Sequence, residues 1–481
     1  MSRLPNPVRG LIHAIGLLLV RLGLLDPEHE RRTTELAWPR ILTGVARMSK
    51  SAVDVAMVGA AVGPVAIAGV GFATPYWGVA FSLGGGFAGG TIALVSQSYG
   101  AEAREELEQA IRSSVALVLV VTLPVAVLFW AFPTELVAVM TDDPETVALG
   151  AEYLQIVALG VPFAGLNLVG SRIFIGADDS WTPMVVRSGG ALSNIAFSAV
   201  LIFGFDFGVA GAAIGTVLAN VVVTATFAVA VVAGWLPGLG RLPVQISAFD
   251  SYFDGETLRQ LVKIGLPVVG RNLVWTVAKF PMMAIVALFG PSVVAAYVVT
   301  RRIWGLMNTP GWGFGLASSS LVGQKLGSGD EQDAESYAHD VLIFSVATYT
   351  FAAVVVGLFA EPIVVAFLGD PTHDSVPVAV ALVYVACVAI GPQGIKAAAA
   401  GPLDASGDTQ WPFYSQVVGM FGAAIPLAYL GATTSLGLVG LSLTFVAETT
   451  IPAAINYYRF STGRWKQISQ SFGPDATPAD D

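Results

Sequence analysis

The sequence predicts an all-α polytopic membrane protein: twelve transmembrane helices in two six-helix lobes, related by a pseudo-two-fold axis along the membrane normal. Three observations predict it. Of the 481 residues, 54% are hydrophobic and only 12% are charged, about half the charge of an ordinary soluble domain. Apolar runs of the roughly 20 residues needed to cross a bilayer recur from one end of the chain to the other. The second half of the chain also repeats the first at a nearly constant offset.

The elements follow in order. Residues 1–35 form an N-terminal arm whose "PNPVRGLIHAIGLLLVRLGLLD" lacks a small-residue cleavage site and is interrupted by Arg21. A helix lying along the cytoplasmic face is expected there, not a signal peptide. Breaks at Gly, Pro and charged clusters then set twelve spans, at 36–61, 65–97, 109–132, 147–175, 182–204, 208–235, 259–289, 292–325, 335–360, 375–400, 411–431 and 436–459. The first six make an N-lobe, 36–235. The polar, turn-rich stretch 236–258 is a cytoplasmic linker, 259–460 is the C-lobe, and 461–481 is an acidic tail.

Orientation comes from charge. The connections after spans 1, 3, 5, 7, 9 and 11 contain no Lys or Arg, and two are acidic, "PTELVAVMTDDPE" and "EPIVVAFLGDPTHD". Basic residues gather in the arm and near the other connections (Arg104, Arg112, Arg172, Arg187, Arg241, Arg259, Lys325, Lys396) and after the last span. By the positive-inside rule both termini are cytoplasmic in a multi-pass protein of the cell membrane.

The repeat is carried by four patches. Trp77-Gly78 meets Trp304-Gly305, and Gln97 and Gly100 meet Gln324 and Gly327, both at an offset of 227. Asp179 and Pro183 meet Asp408 and Pro412, and "GVAG" at 208–211 meets "GLVG" at 437–440, both at 229. Six spans per repeat return the chain to its starting side, so both halves insert the same way up. Two such lobes with a cleft between them suit alternating access. In "GADDSWTP" and "ASGDTQWP" the Asp and Gly read as turn and cap residues.

Composition excludes other classes. One cysteine, Cys387, and four scattered histidines leave no disulfide and no Cys- or His-built metal site. No cofactor is expected. A net charge of −10 speaks against a nucleic-acid partner. The acidic surplus, with 18 Arg against 6 Lys, points to a salt-adapted host such as a halophilic archaeon. An intramembrane enzyme of prenyltransferase type needs clustered acids for Mg²⁺, whereas "DDPE" at 142–145 and "DDSW" at 178–181 lie on opposite faces.

One acid stands out. Asp54 sits in "KSAVDVAMVGAAVG", about 22 Å beyond Pro39 at the helical rise, in the outer half of span 1. A carboxylate there costs several kcal/mol unless protonated, paired or wet. Protonated facing out and deprotonated facing in, it couples transport to a proton gradient. Its alternative role is an ion pair with Lys50, one turn earlier on the same face. The two roles are compatible.

"VSQSYGAEAREELEQA", "LVGQKLGSGDEQDAESYA", "SNIAFSAVLIFGFDFGVAGAAIGTVLAN" and "WPRILTGVARMSKSAVDVAMVGAAVG" resemble the paired loops, fifth and sixth helices, and first helix of multidrug and toxic compound extrusion (MATE) transporters. The resemblance covers roughly residues 36–460. It implies export of amphiphilic drugs or metabolites driven by an inward proton or sodium gradient; a monomer is expected. In the family's archaeal and DNA-damage-inducible-F-like branch the first-helix Asp works with groups on helices four to six, which match Tyr153, Asn194 and Thr216. Pro39 matches a first-helix proline and is the hinge candidate. The fifth helix departs from the pattern: Ser198 stands where a second Asp is expected. That weakens a sodium site built from Asp54, Asn194, Ser198 and Thr216 and favours H⁺ over Na⁺. Trp275 stands where a sodium-coupled branch carries a glutamate. Glu448 in span 12 reads as a local partner for a basic residue.

Trp77, Phe81, Trp304 and Trp312 are the candidate cleft walls. Arg271, Lys279, Arg301 and Arg302 fall within spans 7 and 8, where local acids or the interface would satisfy them. Facing the cleft, they would suit anionic amphiphiles, which makes a lipid-linked oligosaccharide or anionic-amphiphile flippase of the same superfamily the competing function.

Overall fold

A computed structural model describes residues 6–472; the acidic tail beyond Phe472 lies outside them. A helix, Pro7–Arg21, precedes the spans. Span 1 is Pro27–Ala61, span 2 Pro64–Gly100, span 3 Arg104–Ala131. Span 4 comprises Pro144–Ala158 and Val161–Gly176, bent by 51°. Span 5, Trp181–Ala199, ends in a π-helical turn, Val200–Gly204, and span 6 is Gly208–Ala233. Span 7 is Gly255–Val277 with Lys279–Ala287, and span 8 is Pro291–Met307 with Thr309–Gly327. Spans 9 and 10 are Glu331–Leu358 and Ser375–Ala405. Span 11 runs from Gln410–Val417 through the π segment Val418–Ala424 to Ile425–Thr433, and span 12 is Gly437–Ser461.

The breaks have a covalent cause. Pro162, Pro281 and Pro310 each lack the N–H that would bond four residues back, and spans 4, 7 and 8 are interrupted just ahead of them. Among the described residues nine helices are long and apolar enough to cross a membrane, and the bent pair of span 4 makes a tenth. Spans 1 and 8 fall short. Span 1 holds Arg40, Arg47, Lys50 and Asp54; span 8 is divided at Asn308 and carries Arg301 and Arg302. Large apolar side chains such as Leu192 (69%) and Val388 (71%) stay exposed in mid-span, as lipid-facing positions do.

The backbone repeats as the sequence does. Left-handed residues pair across the halves: Gly63 with Gly290 and Glu102 with Gly329 at an offset of 227, then Asp178 with Gly407, Gly208 with Gly437 and Gly234 with Gly463 at 229. Gly63 and Gly290 each precede a helix-starting proline. Their φ of 107° and 95° suits glycine and little else. Even the short helix after span 3, Pro133–Ala138, has its counterpart after span 9, Ala360–Leu368.

The chain divides into two compact units, Leu42–Val269 and Met1–Ile41 with Gly270–Asp481. The divisions fall inside spans 1 and 7 and not in the 236–258 stretch. The first lies two residues after Pro39, in a helix that continues unbroken. Each unit has its own apolar core: around Leu154, Val157 and Phe129 in one, around Phe445, Val383 and Ile390 in the other. Within the Leu42–Val269 unit, Arg112 holds the connecting stretch, donating to the Ser251 and Ser247 carbonyls.

Two predictions follow from packing and charge. A Cβ on Gly69 would lie 2.8 Å from the Gly150 nitrogen, whereas one on Gly71 meets nothing within 4 Å. Gly69→Leu should therefore lower the melting temperature of the purified protein and Gly71→Leu should leave it unchanged. At the arm end of the Pro27–Ala61 helix, ahead of the apolar part of span 1, His29 Nδ1 lies 2.8 Å from Asp340 and Nε2 lies 3.4 Å from Asp333. Burial opposes the charged ring, but these carboxylates outweigh it and hold His29 above its ordinary value. Its stabilising contribution is therefore complete below about pH 6.5 and lost as pH rises through the folded value. A melting-temperature profile should show this decline, and His29→Gln should flatten it.

Candidate functional site

The site lies wholly within the Leu42–Val269 unit. Asp54 and Lys50 share one face of span 1, and their Oδ2 and Nζ atoms are 2.9 Å apart, with 17% and 24% of the side chains exposed. Neither is fully dry, and neither sits alone. From span 5 comes Asn194, 1% exposed. The Thr216 backbone N–H can only donate, so the Asn194 oxygen must face it, at 3.2 Å, and accepts from the Thr216 hydroxyl at 3.1 Å. The Asn194 nitrogen then donates to both Asp54 oxygens, at 2.9 and 3.2 Å. Tyr153 from span 4 comes close to the Thr216 side chain and to Asp54. Four of the five expected coupling residues thus converge.

Ser198 does not join them. Its hydroxyl is fully buried and, among the described residues, has no hydrogen-bond partner. It abuts Gly215, where a Cβ would lie 2.4 Å from its Oγ.

Beside this cluster opens a cavity of about 150 Å³ lined by Arg47, Lys50, Arg187, three asparagines and the rings of Trp77 and Phe81. The Arg47 guanidinium stands 5.3 Å over the Phe81 ring. Asn167 donates to Asn220 Oδ1 at 2.9 Å and accepts from Thr224 at 2.8 Å; Asn220 donates to the Thr216 carbonyl at 2.9 Å. Arg187 donates to Ser171 Oγ at 3.2 Å and the Asn167 carbonyl at 3.4 Å, and among the described residues pairs with no carboxylate.

Sequence reasoning missed this wall. Thr216, Asn220 and Thr224 recur every four residues in span 6, a polar stripe on one helical face that could have been read. Arg187 had been grouped with the cytoplasmic connections; the structure puts it in the cavity, because its long stem reaches from span 5 to span 4.

The other aromatic expectations divide. Trp77 and Phe81 do line a cavity. Trp304 does not stand on an open wall: it is 3% exposed and packs edge-on against Phe445, 5.9 Å away, in the core of the Gly270–Asp481 unit. Trp312 is 38% exposed, with the Arg40 guanidinium 5.9 Å over its ring. Local acids do satisfy two span cations. Arg271 makes two hydrogen bonds to Asp404, at 3.1 and 2.9 Å, and Arg301 grips Glu448 through both terminal nitrogens, one at 2.8 Å. Asp179 caps span 5 by accepting from the Thr182 N–H at 2.9 Å. Asp408, its repeat mate, is no cap; its carboxylate is taken by Arg459.

Comparison with known proteins identifies the family. The MatE family model matches residues 39–200 and again 267–430, once in each half. The chain belongs to the MATE family of transporters. It is a membrane transporter and not an enzyme. Multidrug resistance protein MdtK of Pectobacterium atrosepticum is 25% identical over 434 residues, covering 88% of this chain and 93% of its own. The uncharacterized transporter YisQ of Bacillus subtilis is 24% identical over 385 residues, covering 79% and 82%. Neither supports a salt-adapted archaeal host. Crystal structures of MATE in the bent and straight conformations share the fold, with TM-scores of 0.84 and 0.83 at 19% and 20% identity. They cover 98% and 97% of this MATE chain and all of their own.

The hydrogen bonds set an expectation for this transporter. Thr216→Val removes the hydroxyl bonded to Asn194 and should cost about 1 kcal/mol, read as a lower melting temperature. Ser198→Ala removes a hydroxyl that bonds nothing and should be near neutral.

Proposed function

We propose that the protein is a secondary active exporter of amphiphilic small molecules, working by alternating access in the cell membrane with both termini cytoplasmic. Inward proton flow through Asp54 drives it. The reading rests on one observation: a membrane-depth carboxylate held by a lysine 2.9 Å away and by an asparagine amide. Protonation of Asp54 releases Lys50 and weakens the hold of Asn194, so a single proton exchanges one hydrogen-bonding arrangement of spans 1, 5 and 6 for another. The name of MdtK, a multidrug resistance protein, supports drug export. A related structure is described as an outward-facing multidrug resistance MATE transporter, which supports alternating access; Pro39 is the proposed hinge.

The donors favour H⁺ over Na⁺. A sodium ion needs several oxygen ligands, as hard cations do. Asp54 instead meets an ammonium and an amide N–H₂, while the Asn194 oxygen is turned to Thr216. A proton binds a single carboxylate oxygen and needs no such shell of oxygen ligands.

The test uses purified protein in liposomes carrying an imposed proton or sodium gradient, with ethidium and carboxyfluorescein offered in parallel. Proton-driven transport of either dye, abolished by Asp54→Asn, is expected. Undiminished transport in Asp54→Asn, or transport driven by sodium alone, contradicts the reading.

A further inference from the structure

The Gly270–Asp481 unit carries a charge imbalance at membrane depth. Five cations, Arg271, Lys279, Arg301, Arg302 and Lys396, stand on spans 7, 8 and 10. They act on one another: Lys279 feels Arg301 and Arg302, and Lys396 feels Arg271 and Glu448. Only two acids answer them, and both are spoken for: Asp404 by Arg271 and Glu448 by Arg301. Among the described residues, Lys279, Lys396 and Arg302 pair with no carboxylate. Both lysines flank a single indole, Trp275, with Nζ at 6.0 and 5.8 Å from its ring centre.

Charges inside a membrane segment are retained where they meet a counter-charge or line a wet path. Cation–π contact with one shared ring does not neutralise two ammonium groups. Among the described residues no further acid pairs with either lysine. We infer that Lys279 and Lys396, around Trp275, bind the anionic head of an amphiphilic substrate: a phosphate, carboxylate or sulfonate on an apolar or aromatic body. Lys suits a phosphate as a point charge, and the indole offers the apolar body a flat partner. This narrows the proposed export function, on which it rests, to acidic amphiphiles. The cavity of the Leu42–Val269 unit has the same sign independently, with Arg47, Lys50 and Arg187 on its walls.

The anion could be the head group of a lipid or a free organic acid, and the experiment separates them. Full-length protein in neutral detergent is titrated calorimetrically with 1-naphthyl phosphate, with dihexanoyl phosphatidic acid and with ethidium. Wild type is expected to bind at least one of the two anions saturably. The double variant Lys279→Gln/Lys396→Gln should bind it about ten-fold more weakly, and Lys279→Arg/Lys396→Arg should restore much of the affinity. Lys279 lies on an exposed position, so the single variant Lys279→Gln supplies the comparison if the double variant does not fold. Binding of the phosphatidic acid alone identifies a lipid head group; binding of naphthyl phosphate identifies a free acid. Absence of saturable anion binding, or equal affinity in wild type and the glutamine variants, overturns the inference. Equilibrium binding is read without a gradient, whereas coupling at Asp54 is read only in gradient-driven transport. A failure of coupling at Asp54 and a failure of this site are therefore distinguishable.

Discussion

A carboxylate and an ammonium one helical turn apart inside a hydrocarbon slab have to neutralise each other, and the rest of this site is arranged around that requirement. Lys50 meets Asp54 at 2.9 Å. The pair is stable only while both groups are charged; a proton on the acid dissolves it. Buried ion pairs contribute little net stability against an apolar alternative, so such a pair in the charge-bearing first span is better explained by what it does than by what it holds together. Asn194 and Thr216 then act as the frame. Their hydrogen bonds tie the carboxylate to spans 5 and 6, and its protonation state is thereby felt beyond its own helix.

The same physics explains why spans 1 and 8 are the poorest membrane crossers. Span 1 gives up hydropathy to its charges, and span 8 gives up length to Pro310 and hydropathy to Arg301 and Arg302. Among the described residues, the five cations of spans 7, 8 and 10 meet two acids, Asp404 and Glu448, and three cations line the cavity of the Leu42–Val269 unit. A transporter of lipophilic cations gains nothing from that sign, whereas one that handles acidic amphiphiles gains affinity and selectivity from it.

Much of the fold was legible in the chain. Gly, Pro and charge breaks placed eleven of the twelve spans within about five residues, since a helix that must stay in oil can end only where the backbone or the side chains allow; the span 1 helix instead begins at Pro27, well ahead of the expected 36. The repeat was legible through Trp77, Gln97 and their mates, and the left-handed backbone positions carry the same offsets of 227 and 229. The coupling cluster was legible only partly. Asp54 announced itself as an acid in an apolar run, and Asn194, Thr216 and Tyr153 followed from resemblance. Arg187 was hidden because a long flexible side chain does not end where its Cα lies. Trp304 was misplaced because an aromatic in an apolar helix reads alike whether it faces a cavity or a core. The Asp408–Arg459 pair was invisible for a third reason: one partner lies in the connection before span 11 and the other on span 12, and such pairing is not written in local sequence.

The central claim is that Asp54 alternates between an ionised partner of Lys50 and a neutral acid. Infrared difference spectroscopy of the full-length protein between acidic and alkaline pH tests it most directly, since a protonated carboxyl has a C=O stretch that a carboxylate lacks. The account predicts a carboxylic-acid band that appears on acidification in wild type and is missing in Asp54→Asn. An identical pH difference spectrum in both proteins would contradict it.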